Sequence, residues 1–273
     1  MIRFATSALA FCILAAPVSA QDDDVTALYE ALRLPDIITI MREEGLAYGD
    51  DLAAEMLPGG GSADWRRVVS GIYDADRMAQ TVQGAFTQAL DGADVAAMVA
   101  FFETEQGQRI TGLEVQARRA MLDPDVEEAS RDEARLQMAD ETDRIATLEP
   151  FIEANDLIES NVVGALNSSY AFYLGLIDGG VMPAGVTPES ALQDVWMQEP
   201  DIRTNTIEWV YAFLLLAYEP LSDDEIAAYT EFSESDAGQE LNTALFAAFD
   251  GMFDNISRAL GLASAQFMIS QEL

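Results

Sequence analysis

Leu90-Asp-Gly-Ala-Asp-Val-Ala-Ala-Met-Val-Ala-Phe101-Phe-Glu-Thr104-Glu-Gln-Gly107-Gln108 and Leu221-Ser-Asp-Asp-Glu-Ile-Ala-Ala-Tyr-Thr-Glu-Phe232-Ser-Glu-Ser235-Asp-Ala-Gly238-Gln239 share one pattern. When Gly238 is laid on Gly107, identical residues fall at Leu221, Ala227, Ala228, Phe232, Glu234, Gly238, Gln239, Ala248 and Met252. Met98 then faces Tyr229, Thr104 faces Ser235 and Ile110 faces Leu241. Self-similarity of this kind describes one supersecondary unit used twice. Each copy has the chemistry of an αα-hairpin. Ser222 and Glu225 have capping-box spacing, which starts a helix that presents Ile226, Tyr229 and Phe232 on one side. Asp91 and Asp94 hold the equivalent places in the first copy. Thr104 or Ser235 then supplies a hydroxyl acceptor for a new helix N-terminus, and Glu105 or Asp236 an acid favoured by the helix dipole. Gly107 and Gly238 permit two backbones to approach closely. The second helix of each hairpin carries a core-facing stripe, Ile110, Leu113, Ala117 and Met121 in one copy and Leu241, Leu245, Ala248, Phe249, Met252 and Ile256 in the other. The expected fold is all-α, a helical bundle built around two αα-hairpin units related by an approximate two-fold axis.

Outward from the repeats, helical periodicity continues and alternating strand patterns are absent. Val25, Leu28, Tyr29 and Leu32 form a short helix that stops before Pro35. Pro35 opens another with Ile37, Ile38 and Met41 on one face, and Asp50 to Leu57 is a third short piece. Pro58-Gly59-Gly60-Gly61-Ser62 reads as a flexible joint. Between the copies, Asp123-Pro124 starts a charged helix expected to reach about Glu149, laced by Glu127 to Arg131, Asp132 to Arg135 and Asp140 to Arg144. Pro150 is expected to open an almost uncharged helix through Tyr170, Phe172, Tyr173 and Ile177 that forms the centre of the fold. A loop runs from Gly179 to Pro188, and then Ala191 to Pro200 and Ile202 to Tyr218 lead into the second copy. The organisation is a leader over residues 1–20, an N-terminal helical cap over 21–57, a first repeat unit with its charged connecting helix over 63–149, and the central helix with the second repeat unit over 150–273.

Met1 to Ala20 has the marks of a secretory signal peptide: Arg3, an apolar stretch from Phe4 to Ala16, and Pro17-Val18-Ser19-Ala20 ending in small residues. Cleavage is expected after Ala20, which makes the mature protein periplasmic or secreted. The sole cysteine, Cys12, leaves with that leader, so neither disulfide nor lipid anchor is expected. No span of the mature chain is expected to cross a membrane. Asp and Glu number 48 against 14 basic residues, all of them arginine, and the formal net charge is −34. Such a field repels phosphate backbones and anionic lipid surfaces and excludes nucleic acid as a partner. It fits a GC-rich genome or a saline habitat, with a specific cationic partner as the alternative.

The pattern Leu-(Ser or Asp)-x-x-(Glu or Asp), an apolar face, Phe-x-x-(Ser or Thr)-x-x-Gly-Gln and an amphipathic helix resembles the bacterial family called domain of unknown function 2059. The resemblance spans roughly residues 65 to 122 and 196 to 260. It implies a small exported helical protein and carries no assigned activity. The family's typical turn has Pro after the Ser or Thr, where this chain has Glu105 and Asp236.

A mature chain without His, Cys or Lys lacks the usual nucleophile and base pairs, zinc sites and Schiff-base chemistry. No cofactor is expected. Paired carboxylates could run a glycan hydrolase acting on cell-wall polymer, with Glu103 and Glu234 as candidates. Asp123, Asp125 and Glu127 begin with the spacing of a calcium loop, but Glu128 stands where Gly is needed and Ala134 where the bidentate Glu belongs. Weak divalent-cation binding at clusters such as Asp22-Asp23-Asp24 is a further alternative. Gly59-Gly60-Gly61-Ser62 is no phosphate loop, since no Lys comes after it. The aromatic set Tyr170, Phe172, Tyr173, Trp209, Tyr211, Phe213 and Tyr218 is either core or the lining of a groove for an apolar ligand or partner helix. The positions singled out for a structural or binding role are Phe101, Thr104, Gly107 and Gln108 with their counterparts Phe232, Ser235, Gly238 and Gln239. The expected function is that of a non-enzymatic interaction or envelope-maintenance module that binds a protein or cell-envelope partner.

Overall fold

The computed structural model describes residues 18–57 and 59–271, and among these every regular element is an α-helix. The expected leader lies, up to residue 17 and including Cys12, outside the described residues. No helix among the described residues is long and apolar enough to cross a membrane.

Helix α1 (Val18–Ala31) and helix α2 (Leu34–Met56) meet at Arg33, whose φ of 53° turns the chain. Pro35 sits in the first turn of α2, where its missing N–H costs nothing. A separate piece from Asp50 does not exist, because α2 runs unbroken to Met56. Gly45 and Gly49 do not break it; they are contact points. A Cβ on Gly45 would collide with the Tyr73 ring, and one on Gly49 would stand 2.5 Å from a Val69 methyl. The glycine run is a turn that lays α3 (Ala63–Ile72) back on α2: Gly59 and Gly60 take φ of 85° and 75°, and Gly60 donates to the Leu57 carbonyl at 3.0 Å. Ser62 caps α3 by accepting from the Trp65 N–H, and fully buried Trp65 donates its indole N–H to the Gly49 carbonyl at 2.8 Å.

Helix α4 (Ala75–Ala89) is capped by Asp74, and the two hairpins are α5 (Val95–Phe102) with α6 (Glu105–Ala120) and α12 (Asp223–Glu234) with α13 (Asp236–Gln271). Ser222 and Glu225 form the expected capping box. In the first copy the helix starts later, because Asp94 itself is the cap and accepts from the Ala97 N–H. Between the hairpins lie α7 (Pro124–Ala139), α8 (Asp143–Ala154), α9 (Leu157–Asp178), α10 (Pro188–Trp196) and α11 (Glu199–Tyr218). The charged connecting segment is thus two helices, not one. Glu141 at φ 48° breaks it, and Thr142 caps α8. The break separates Asp140 from Arg144, whose guanidinium instead holds Asp223 at 2.8 Å and the Tyr218 and Leu221 carbonyls. Nor does Pro150 open a helix. It lies inside α8, and the chain turns at Asp156, φ 46°, after the Asn155 amide has closed onto the Phe151 carbonyl at 2.9 Å. Likewise α10 ends at Trp196 and α11 takes Pro200 into its first turn.

Apolar side chains gather in two main clusters. One joins α1 to α5 with α13 through Leu28, Trp65, Phe86, Met98, Phe102 and Ala248, so the N-terminal helices share a core with both hairpins. The other joins α6, α8, α11 and α12 through Ile110, Leu148, Phe151, Leu214, Tyr218 and Ile226. Helix α9 packs along both α13 and α11 and ties the two together. Its contact with α13 is a backbone approach: a Cβ on Gly175 would strike the Arg258 carbonyl, and one on Gly261 the Phe172 carbonyl.

Candidate functional site

The two hairpin turns are built alike. Thr104 donates its hydroxyl to the Phe101 carbonyl at 2.7 Å and accepts from the Gly107 N–H at 3.0 Å. Ser235 donates to the Phe232 carbonyl at 2.6 Å and accepts from the Gly238 N–H at 3.1 Å. A Cβ on Gly107 would lie 2.6 Å from the Phe102 Cα, and one on Gly238 2.8 Å from the Ser233 Cα, so both turns need glycine for the same close approach. The Gln108 side-chain amide returns to the Glu103 carbonyl at 3.2 Å. The Gln239 amide reaches the Ser233 carbonyl at 2.7 Å and the Ala154 carbonyl of α8 at 2.6 Å. Phe101 and Phe232, counterparts in the alignment, stack face to face with centroids 4.2 Å apart. Phe102 meets Phe232 edge-on at 5.4 Å.

Beside this aromatic contact, and between the two main core clusters, lies a cavity of about 780 Å³, within the ~300–1,000 Å³ usual for small-molecule sites. Its mouth reaches exposed Asn161 and Asn205. Helix α6 contributes Thr111, Glu114, Val115 and Arg118 to the wall, and α13 contributes Asn242, Leu245, Phe246 and Phe249 together with Gly238, Leu241, Asp250 and Phe253. The first four of the α13 residues are the α6 positions over again in the alignment that lays Gly238 on Gly107. Of the aromatic set, Trp209, Phe213 and Tyr218 line the cavity; Trp209 and Phe213 stack with rings 5.3 Å apart. Tyr170, Phe172, Tyr173 and Tyr211 pack elsewhere against the core clusters.

The cavity wall is mainly apolar, with asparagine and hydroxyl side chains among its lining and four charged residues, Glu114, Arg118, Arg131 and Asp250. Glu114 lines the void, and buried Tyr218 donates its hydroxyl to Glu114 Oε1 at 2.6 Å. Burial lifts the Glu114 carboxyl to about 7, while the Tyr218 hydrogen bond pulls the other way. Loss of hydration also pushes the Tyr218 phenol well up, so it stays neutral. Arg118 is held by both oxygens of Glu44 at 2.8 and 3.0 Å and lies 5.7 Å from the Trp209 ring centroid. Arg131 is engaged by Glu127 and by the Asn205 side chain, at 2.9 and 3.0 Å. Near the α9 side, Asp250 faces the cavity, its carboxyl raised first by burial and then by the charge of Asp254. Ser168 bonds Asp254 at 3.4 Å.

Glu103 and Glu234, the carboxylate pair considered for glycan hydrolysis, sit exposed at the ends of α5 and α12, and neither lines this cavity. Asp123 caps α7 by accepting from the Asp125 N–H at 3.0 Å. Glu114 is absent from the sequence-based candidates, although a signal for it exists: it lies four residues after Ile110 and three before Ala117, on the edge of the core stripe.

No curated protein and no solved structure matches the chain. Residues 76–134, from the start of α4 into α7 and enclosing the first hairpin, match the model of a bacterial family described as uncharacterized protein conserved in bacteria (DUF2059).

Proposed function

We propose that this chain is an exported, non-enzymatic helical binding protein, acting in the periplasm or outside the cell, whose cavity takes up one elongated apolar small molecule. The observation that carries the reading is the shared wall: four positions of α6 and the four equivalent positions of α13 line one cavity of ligand size. That pattern is what duplication of a hairpin around an approximate two-fold axis produces, because equivalent faces then look at each other across the axis. The stacking of Phe101 on its own counterpart Phe232 supports the same relation, since only residues near such an axis meet their equivalents. Each copy alone buries a single stripe, and the second copy closes the space the first leaves open. A mature chain without His, Cys or Lys favours binding over turnover.

Titration with N-phenyl-1-naphthylamine, a neutral apolar fluorophore, tests the reading. Saturable enhancement at one probe per chain is expected. Leu245→Trp, which adds bulk to the α13 wall of the cavity, is expected to weaken it at least tenfold. Absence of saturable binding, or equal binding by Leu245→Trp, overturns the proposal.

A further inference from the structure

We infer that the cavity selects a cationic amphiphile, an apolar body carrying an amine head group, with Glu114 and Asp250 as the residues that receive the charge. The inference rests on the cavity being the binding site, and concerns the head group alone. Two arginines reach the cavity wall, and both are already engaged. Arg118 is clamped by Glu44 in a bidentate pair, and Arg131 is shared between Glu127 and Asn205. Bidentate guanidinium pairs are strong and directional, so neither arginine is offered to an incoming carboxylate.

The acids at the cavity stand differently. Glu114 lines the cavity, and among the described residues its carboxyl has one hydrogen bond, from the hydroxyl of Tyr218. Asp250 lies against the cavity with Asp254 one helical turn further along α13 and a like charge beside it. Burying a carboxylate without a cation is costly, and a ligand that brings the cation removes the cost. An anionic head group would meet an acid at either place and a protein of net charge −34. A neutral one would leave both acids as they are. The second copy sharpens the contrast, since the position equivalent to Glu114 is Leu245 and that equivalent to Arg118 is Phe249. The α13 wall is therefore apolar at those two positions, with Asn242 and Asp250 as its polar points, and the acids mark where the head group belongs.

Matched twelve-carbon probes isolate the head group: dodecylamine, dodecanol and dodecanoate, each below its aggregation limit, compete against N-phenyl-1-naphthylamine at pH 8 in 0.3 M NaCl. The amine is expected to bind at least tenfold tighter than the alcohol, and the alcohol tighter than the acid. In the double variant Glu114→Gln with Asp250→Asn, the amine-to-alcohol ratio is expected to fall to within about twofold of one. Removing two charges outside the cavity, Glu103→Gln with Glu234→Gln, is expected to keep the ratio. A native mass spectrum of the amine complex is expected to show one ligand per chain. Alcohol binding with no preference for the amine overturns the head-group inference and leaves the cavity reading standing. A preference that survives in the cavity double variant identifies adsorption to the acidic surface and overturns it as well. If none of the probes competes, both readings fall.

Discussion

At Glu114 a carboxyl occupies a place where the second hairpin carries Leu245, and its protonation couples to folding. The group is neutral in the folded chain up to about 7, against 4.5 without the fold. At low pH it is neutral in both states. As pH rises from the unfolded value through the folded one, the unfolded chain ionises freely while the folded chain must bury a charge, so stability is lost across that window. The groups that face it are the Tyr218 and Tyr229 phenols, both kept neutral by burial, and the Arg118 guanidinium fixed on Glu44. Between pH 5 and 8 the wild type is expected to lose on the order of 3 kcal/mol relative to Glu114→Gln. Denaturant titrations of both proteins at several pH values measure the difference. A gap that does not change with pH would refute it. Tyr29 offers a second test, because its buried hydroxyl has no hydrogen-bond partner among the described residues. Tyr29→Phe is expected to be neutral or to stabilise by up to about 1 kcal/mol.

Among the helices, the approach of α9 to α13 is the contact least tolerant of change. Gly175 and Gly261 stand where each helix presses on the other's carbonyls, and adding a methyl there forces the axes apart against a close-packed core. Gly261→Ala is expected to cost about 3 kcal/mol or more. Gly251, on the same helix with open space around it, supplies the control: Gly251→Ala is expected to stabilise by about 0.5–1 kcal/mol through helix propensity. Thermal melts of the two variants should move in opposite directions, and parallel shifts would disprove the close-approach argument. The junction between the hairpins can be tested by a double-mutant cycle on Phe101→Leu and Phe232→Leu. Their face-to-face stack predicts a coupling of about 0.5–1.5 kcal/mol, and additive effects would show that the rings share space without interacting.

Over the molecule as a whole, arginine is spread thinly across an acidic surface. Most of its ion pairs are partly or largely exposed, as with Arg67 and Asp64 or Arg258 and Asp178, and exposed pairs contribute about 0–1 kcal/mol each. The uncompensated negative charge then acts by self-repulsion, which salt screens over about 8 Å at physiological ionic strength. The melting temperature is expected to rise between about 10 and 500 mM NaCl as the Debye length shrinks several-fold. A melting temperature indifferent to salt would show that the acids lie too far apart to repel. A jump at micromolar calcium would instead reveal a specific cation site.

Local chemistry made the helical class and many of the helix starts legible. Three-to-four spacing of apolar residues, the Ser222 and Glu225 box, and hydroxyls three residues ahead of Gly107 and Gly238 act within a turn or two of their own position. The same locality explains the errors. Gly45, Gly49 and Pro150 have the composition of breaks, yet they stay helical, the two glycines because Tyr73 and Val69 pack on them from another helix. One segment with a continuous charge pattern breaks at Glu141, whose positive φ carries no composition signal. The cavity was beyond local pattern altogether. Trp209 and Phe213 were visible as aromatic residues, but whether they fill a core or line a space depends on how far α6 and α11 stand from α13. That separation is set by side chains remote in sequence, through the stacked pair Phe101 and Phe232 and the glycine contact of α9 with α13. Periodicity specifies which face of a helix is apolar; only packing decides whether that face meets another helix or an empty volume, because the hydrophobic effect has no direction and the fit between distant surfaces does.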